Sequence, residues 1–126
     1  LLNEQNSLEE LSSSVSSVIN DLNLKYEIIL IDDGSTDNSW KIISKICLKT
    51  QHIKGIRFLK NFGKSQALSA GFKACNGDVV ITMDADLQDD PNEIPELYKK
   101  INEDNFDLVV ILATLHFGMP FDNKQQ

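Results

Sequence analysis

The chain is short of cysteine and of long apolar runs. Its 126 residues include only Cys47 and Cys75, and neither has the CxxC spacing of a zinc or redox site. Each lies within a helical pattern, so we expect buried thiols in a reducing compartment rather than a disulfide or a nucleophile. No apolar run approaches the roughly 18 to 20 residues of a spanning helix, and the N-terminus lacks a signal-peptide pattern, so we expect a soluble segment.

Positive charge is scarce as well. Twelve Lys and Arg stand against nineteen Asp and Glu, which gives a formal net charge of −7. Nucleic-acid binding depends on clustered Lys and Arg, and we interpret the basic residues here as scattered, so no nucleic-acid partner is predicted. With 41% hydrophobic residues, a chain of this length can form one core but hardly two, which predicts a single domain or part of one.

Helical and strand patterns alternate along the chain. Apolar spacing predicts four helices. They extend over residues 8–22, from a cap at Asp37 onward, over residues 63–76, and from a first turn that contains Pro91. β-rich apolar runs predict strands over 26–31, 53–59, 78–83 and 106–112. Because strands joined by crossover helices run parallel, the sequence predicts an α/β fold: a Rossmann-like three-layer α/β/α sandwich with a mostly parallel sheet.

The most informative motif is MDADLQDDP at residues 83–91, which places Asp84 and Asp86 one residue apart after an apolar strand. Open parallel sheets bind ligands at the carboxyl ends of their strands, where Mg²⁺ or Mn²⁺ is held by one or two carboxylates plus substrate phosphates. Asp-rich loops are often only solvated turns. A second strand, however, ends in Asp32-Asp33-Gly34, so two parallel strands ending in carboxylates would face one crevice.

Basic and further acidic residues flank these strand ends. Lys64 opens a predicted helix, whose N-terminal amides also favour anions, so it is a candidate phosphate-facing cation; the alternative is a solvated surface lysine. Arg57 is a weaker candidate, because an arginine on an edge strand usually reaches only solvent. Asp89 and Asp90 precede Pro91, and we interpret them as helix caps rather than metal ligands.

Four segments together resemble a known family: LLNE, YEIILIDDGSTDNS, FLKNFGKSQALSAGFKACNGD and VVITMDADLQDDPNEIPELY. They resemble the inverting GT-A (family 2) glycosyltransferases that charge polyprenyl phosphates, the dolichyl-phosphate mannose synthase-like branch. The likeness extends from Leu1 to about Val110, and NFGKSQAL and DADLQDDP are its most specific parts. It implies a GT-A fold, a UDP- or GDP-hexose donor, a polyprenyl (dolichyl or undecaprenyl) phosphate acceptor, Mg²⁺ or Mn²⁺, and transfer with inversion.

The resemblance also implies roles for single residues. Asp84 and Asp86 would be catalytic, and Asp86 and Gln88 would bind the metal ion. Together with Lys64, the nucleotide-sugar contacts would be Asn3, Glu4, Ile31, Asp32, Asp33, Asp84, Ala85 and Asp86.

The resemblance further implies that this chain is incomplete at both ends. We expect the nucleotide-sugar-binding part over residues 1–112 and a divergent tail over 113–126, since a Gly-x-Arg continuation is replaced from Ile111 onward. Apolar residues near this tail favour self-association as a homo-oligomer. The parent enzyme would be cytoplasmic or at the cytoplasmic membrane face. A catalytically inactive nucleotide-binding fragment and a transferase acting on a saccharide acceptor are the alternatives.

Overall fold

The computed structural model describes residues 4–76, 79–85, 89–101 and 108–115. Helices and strands alternate along these ranges, as the sequence predicts. The elements are α1 (Glu4–Asp21), β1 (Lys25–Asp33), α2 (Ser39–Lys49), β2 (Ile53–Phe58), α3 (Lys64–Ala74), β3 (Val79–Asp84), α4 (Ile94–Ile101) and β4 (Leu108–Leu115). A single 3₁₀ turn, Pro91–Glu93, leads into α4.

The described strands form one parallel sheet in the order β2-β1-β4-β3. β1 pairs with β2 on one side and with β4 on the other, and β3 pairs with β4. The last described strand in the chain therefore lies in the interior of the sheet. This arrangement confirms the predicted α/β fold with a parallel sheet.

Helices cover both faces of the sheet. Alternate residues of β1 point to opposite faces, so Ile28 and Leu30 join one apolar cluster while Ile29 and Ile31 join another. α1, α2 and α4 pack on the first face, and α3 is the one described helix on the second, against β1 and β4. Residues 27–33 of β1 are all buried, as expected for a strand covered on both sides.

Several element ends differ from the prediction. β1 continues to Asp33 and β4 to Leu115, because pairing with neighbouring strands extends both past the end of their predicted runs. α2 begins at Ser39, so Asn38 and not the predicted Asp37 is its cap residue. Asp37 Oδ1 accepts a hydrogen bond from the Ser39 amide at 2.9 Å. α3 ends at Ala74 with the next residue extended, so the left-handed stop predicted at 76–77 does not end this helix.

The interpretation of the basic residues as scattered was wrong. Residues 38–77 contain no Asp or Glu and hold eight of the twelve Lys and Arg: Lys41, Lys45, Lys49, Lys54, Arg57, Lys60, Lys64 and Lys73. This segment forms α2, β2 and α3, so positive charge is concentrated on these three elements. Among the described residues no helix is both long and apolar enough to cross a membrane.

Candidate functional site

The predicted site residues meet where the strands of the sheet end. Asp32 and Asp33 close β1, and Asp84 closes β3. The strand between them is β4, whose Thr114 is paired in register with both Ile31 and Asp84. We call this region, residues 31–33, 84–85 and 114, the carboxyl edge.

Asp84 is held by two side chains that meet at a single oxygen. The Lys64 ammonium lies 2.9 Å from Asp84 Oδ1, and the Thr114 hydroxyl donates to the same oxygen at 3.4 Å. Thr114 is buried, whereas the Asp84 side chain is 35% exposed and that of Lys64 48% exposed. The Asp84 carboxylate therefore accepts from a buried hydroxyl on one side and pairs with a partly exposed cation on the other, where a ligand can reach both charges.

The backbone amides of Asp84 and Ala85 at the end of β3 are also hydrogen-bonded. The Asp84 amide donates to Asp89 Oδ2 at 2.9 Å, and the Ala85 amide donates to the Thr114 carbonyl at 2.9 Å. Asp90 Oδ1 accepts from Asn92 and caps the turn before α4, so the predicted cap is confirmed for Asp90. It was wrong for Asp89, which binds back to the end of β3.

The two carboxylates at the end of β1 are buried and hydrogen-bonded within the chain. Asp32 accepts from the Ser35 amide at 2.8 Å and from the Ser35 hydroxyl at 2.6 Å. Asp33 accepts from the Phe62 amide at 2.8 Å and from the Gly63 amide at 3.0 Å. Their exposures are 0% and 1%, so both oxygens of each side chain are used to shape the loops beside the carboxyl edge.

Two glycines allow these loops to meet. Gly34 has φ of +79°, and a Cβ there would lie 2.3 Å from the Lys60 carbonyl carbon. Gly63 has φ of +98°, a conformation that L side chains rarely adopt, although nothing lies within 4 Å of its Cβ position. The turn after β1 is therefore packed directly on the loop before α3, a close approach that only glycine permits at residue 34.

The structure brings six of the predicted contacts to one region: Ile31, Asp32, Asp33, Lys64, Asp84 and Ala85. The Ile31 side chain is buried beneath α3, beside Gly71. Glu4 is the first residue of α1. Asn3, Asp86 and Gln88 lie outside the described residues, and their predicted roles stay predictions.

Arg57 is exposed, and its guanidinium lies 5.8 Å from the centroid of the Trp40 ring. This contact is a cation–π arrangement on the surface of the α2 side. Arg57 is thus directed to a different face from the Lys64–Asp84 pair, since Trp40 packs on the cluster beneath α1 and α2.

Thr114 is the main residue of the carboxyl edge that the sequence prediction missed. It falls in the segment predicted to be a divergent tail, yet it lies in β4 and contacts Asp84. The available signal is that Thr114 is the only polar residue in the run LVVILATL. A lone hydroxyl near the end of a buried strand needs a hydrogen-bond partner, and that partner is the predicted site aspartate.

The carboxyl edge suits a hard cation only in part. Asp84 supplies a carboxylate and Thr114 a hydroxyl, which are oxygen donors of the kind that Mg²⁺ and Mn²⁺ prefer. Within the described ranges no group of three or more His, Cys, Asp and Glu side chains is arranged to hold a metal ion. Mg²⁺ is usually held by one or two carboxylates and completed by substrate phosphates, and Asp84 supplies one such carboxylate. Asp86 and Gln88 are the predicted further ligands.

A comparison with protein families agrees with this geometry. The model for "Glycosyl transferase family 2" matches residues 2–126, a range that includes every described helix and strand. The members of this family use a nucleotide-sugar donor and an acceptor. An open parallel sheet with charged residues at its carboxyl edge is the kind of fold that holds such a donor. Because the match extends over nearly all of the sequence, the chain belongs to glycosyl transferase family 2.

Proposed function

We propose that this chain is the donor-binding part of an enzyme that moves a hexosyl unit from UDP- or GDP-hexose to a polyprenyl phosphate, with inversion and with Mg²⁺ or Mn²⁺. The observation that carries the proposal is the Lys64–Asp84 pair, 2.9 Å apart at the carboxyl edge. Parallel sheets bind nucleotides at this edge. A cation at this edge can pair with a diphosphate, and a carboxylate beside it can bind the metal ion of that diphosphate.

The charges fit the bond that breaks. In the proposed reaction an oxygen of the acceptor phosphate attacks the anomeric carbon, and the bond from that carbon to the nucleoside diphosphate breaks. Negative charge builds on the departing diphosphate, and the Lys64 ammonium offers one neutralising charge. A divalent ion, when bound at Asp84 and the predicted Asp86 and Gln88, supplies Lewis-acid stabilisation to the same leaving group.

The acceptor is proposed from the segments NFGKSQAL and DADLQDDP, which resemble those of enzymes acting on polyprenyl phosphates. In the fold, NFGKSQAL forms the loop before α3 and the first turn of that helix, which carries Lys64. DADLQDDP begins at Asp84, the partner of Lys64. A phosphate acceptor is already anionic and needs little general-base help. This agrees with a site whose described, partly exposed charged groups are an ion pair. Such an enzyme would act at the cytoplasmic membrane face.

One observation favours a second candidate, donor binding without transfer. The resemblance leads us to expect Gly-x-Arg near residue 111, but β4 there carries Ile111, Leu112 and Ala113, all buried. The arginine would be a further cation for the donor. Without this cation beside the departing diphosphate, the chain would bind the nucleotide sugar but transfer no hexosyl unit.

Calorimetric titration with UDP and GDP, each with and without Mn²⁺, tests donor binding. We expect Mn²⁺-dependent binding of one nucleotide that is lost in Asp86→Ala and on addition of EDTA. Asp90→Ala is the matched control, because Asp90 caps a turn and should leave the affinity unchanged. Unchanged affinity of Asp86→Ala in the presence of Mn²⁺ would contradict the proposed metal site.

A transfer assay then separates the candidate functions. The nucleoside diphosphate released from the bound donor is measured with a polyprenyl phosphate, with a free oligosaccharide, and with no acceptor. Release that requires the polyprenyl phosphate supports the proposal. Release with the oligosaccharide instead identifies a saccharide acceptor, and nucleotide binding without release identifies the inactive fragment.

A further inference from the structure

We infer that residues 59–63, which we call the β2–α3 loop, dock this protein on an anionic membrane surface. The inference rests on the proposed function, because a polyprenyl phosphate acceptor lies in a bilayer, and it names the surface that meets that bilayer. Two observations carry it: the exposed apolar side chains of this loop and the positive charge around them.

Two large apolar side chains of the loop are exposed to water. Leu59 is 91% exposed, more than any other large apolar residue in the part of the chain that the structure describes, and Phe62 is 53% exposed. The Phe62 ring packs edge-on against Phe58, with 5.6 Å between the ring centroids, and Phe58 packs on the apolar cluster beneath α3. A single exposed leucine needs no explanation, but two large apolar side chains on one short loop indicate a contact surface.

Positive charge surrounds these side chains. The Lys60 ammonium lies 5.0 Å from the centroid of the Phe62 ring, and Lys64 begins the helix that follows the loop. Residues 38–77 contain no Asp or Glu, so all nineteen acidic residues of the chain lie elsewhere in the sequence. The protein is therefore acidic as a whole, while the segment that carries the loop is basic.

The carboxylates that contact this region do not cancel its charge at the surface. Asp33 accepts from the amides of Phe62 and Gly63, but it is only 1% exposed. Asp84 is paired with Lys64. Lys60 is exposed, and the contact described for its ammonium is with an aromatic ring and not with a carboxylate. An anionic surface can therefore attract this loop despite the net charge of the chain.

A bilayer matches both features of the loop. Anionic headgroups offer phosphates to the Lys60 ammonium, and the acyl-chain boundary beneath them removes Leu59 and Phe62 from water. The phosphates of a nucleic acid would pair with the lysine but leave Leu59 exposed. A two-fold contact between copies of the chain would place the loop against itself, so that like charges meet.

The position of the loop relates docking to the proposed reaction. Phe58, the last residue of β2, is paired in register with Asp33 at the end of β1, and the loop amides are hydrogen-bonded to the same aspartate. The loop is thus held beside the carboxyl edge. Docking through it would bring the Lys64–Asp84 pair to the level of the headgroups, where the phosphate of a polyprenyl acceptor lies.

Vesicle flotation without nucleotide tests the inference. Vesicles of phosphatidylcholine alone are compared with vesicles of phosphatidylcholine and phosphatidylglycerol in equal parts. We expect salt-sensitive binding to the second kind only, weakened about fivefold in Lys60→Gln and at least about tenfold in Leu59→Glu, which removes an apolar side chain and adds a repelled charge. Because both side chains are exposed, neither variant should impair folding. Absence of binding, or equal binding to both kinds of vesicle, would overturn the inference.

Leu48→Glu is the matched control. Leu48 is 87% exposed and lies in the same basic segment, so the substitution makes the same change in charge and hydropathy. It lies in the last turn of α2, which runs from the end of β1 back to the start of β2, and is therefore at the opposite edge of the sheet. We expect Leu48→Glu to bind vesicles like the unaltered chain. Equal losses in Leu48→Glu and Leu59→Glu would show that net charge alone controls binding and would overturn the inference.

A fluorescent label locates the side chain that enters the bilayer. In a chain with Cys47→Ala and Cys75→Ala, an environment-sensitive fluorophore is attached at Leu59→Cys or, as the control, at Leu48→Cys. Phosphatidylglycerol vesicles should shift the emission of the label at residue 59 to shorter wavelength and leave that at residue 48 unchanged. No shift at residue 59 in vesicle-bound protein would overturn the inference.

These results are separable from the test of the proposed function, because vesicle binding needs neither nucleotide nor Mn²⁺. A chain that binds UDP or GDP but no phosphatidylglycerol vesicles disproves the docking loop and leaves donor binding intact. A chain that binds these vesicles through Leu59 but binds neither nucleotide disproves the proposed function and supports the docking loop. Sedimentation without lipid covers the remaining occupant: a dimer that is lost in Leu59→Glu would assign the loop to self-association and overturn the inference.

Discussion

Thr114 and Asp84 are paired in register on β4 and β3, and the Thr114 hydroxyl donates to the same Asp84 oxygen that accepts from Lys64. Thr114→Val keeps the shape of the side chain and removes this donor. We expect nucleotide affinity to fall about threefold, and stability to change by less than about 1 kcal/mol because the 3.4 Å bond is long.

Calorimetry and urea unfolding measure these two effects of Thr114→Val. Thr82→Val, at an exposed position on β3, is the control and should change neither quantity. Wild-type affinity in Thr114→Val would show that Thr114 only packs beneath the site.

Lys64→Met should separate binding from stability. The pair with Asp84 is partly exposed on both sides, and such surface pairs contribute only about 0–1 kcal/mol to folding. We expect an unfolding midpoint close to that of the unaltered protein, while nucleoside-diphosphate affinity falls about tenfold and becomes less sensitive to salt. Lys73→Met, in the last turn of the same helix, should leave the affinity unchanged. Equal losses in both variants would point to the overall charge instead of a particular ammonium.

Gly71→Ala should destabilise the fold through the packing of α3. A Cβ at this position would lie 2.7 Å from Ile31 Cδ1 and 3.1 Å from the Leu112 methyl carbons, so buried side chains must shift. We expect a loss of about 1–3 kcal/mol in the free energy of unfolding, measured by urea denaturation. Ser69→Ala, exposed on the same helix, is the control. A midpoint for Gly71→Ala equal to that of the control would show that α3 can move away from the sheet without cost.

Cys47 should be a slow nucleophile. Burial raises the pKa of its thiol above the ordinary value, because the charged thiolate is disfavoured away from water. A raised pKa lowers the thiolate fraction at neutral pH, so in Cys75→Ser we expect the remaining thiol to react with iodoacetamide at pH 8 several-fold more slowly than free cysteine. The rate should still be rising above about pH 9. The same variant in urea should react like a free thiol, and a plateau below pH 8 in the folded protein would contradict the expectation.

The periodicity of the sequence was sufficient to predict the layers of this fold. Each described strand has a local apolar pattern, and Asp32, Asp33 and Asp84, which end β1 and β3, lie at one edge of the sheet, as the sequence predicts. The order of the strands could not be predicted in this way, because nothing in the run that forms β4 indicates that it lies between β1 and β3. The contact between Thr114 and Asp84 depends on that order.

The roles of single charged residues depended on tertiary contacts for the same reason. Asp33 and Lys64 were both identified as candidates. The partners of Asp33 are backbone amides 29 and 30 residues away along the chain, and the partner of Lys64 is a carboxylate on another strand. Local sequence shows which groups carry charge. It does not show that the carboxylate of Asp33 is used by two backbone amides.

The interior position of β4 also affects the order in which the protein forms as it leaves the ribosome. β1 and β2 can pair early, whereas β3 pairs with β4 and with no other described strand. β3 therefore has no described partner strand until residues 108–115 have been synthesised, and before then Asp84 lacks the hydrogen bond from the Thr114 hydroxyl. A nascent chain acquires the carboxyl edge last, after every other described element has been made.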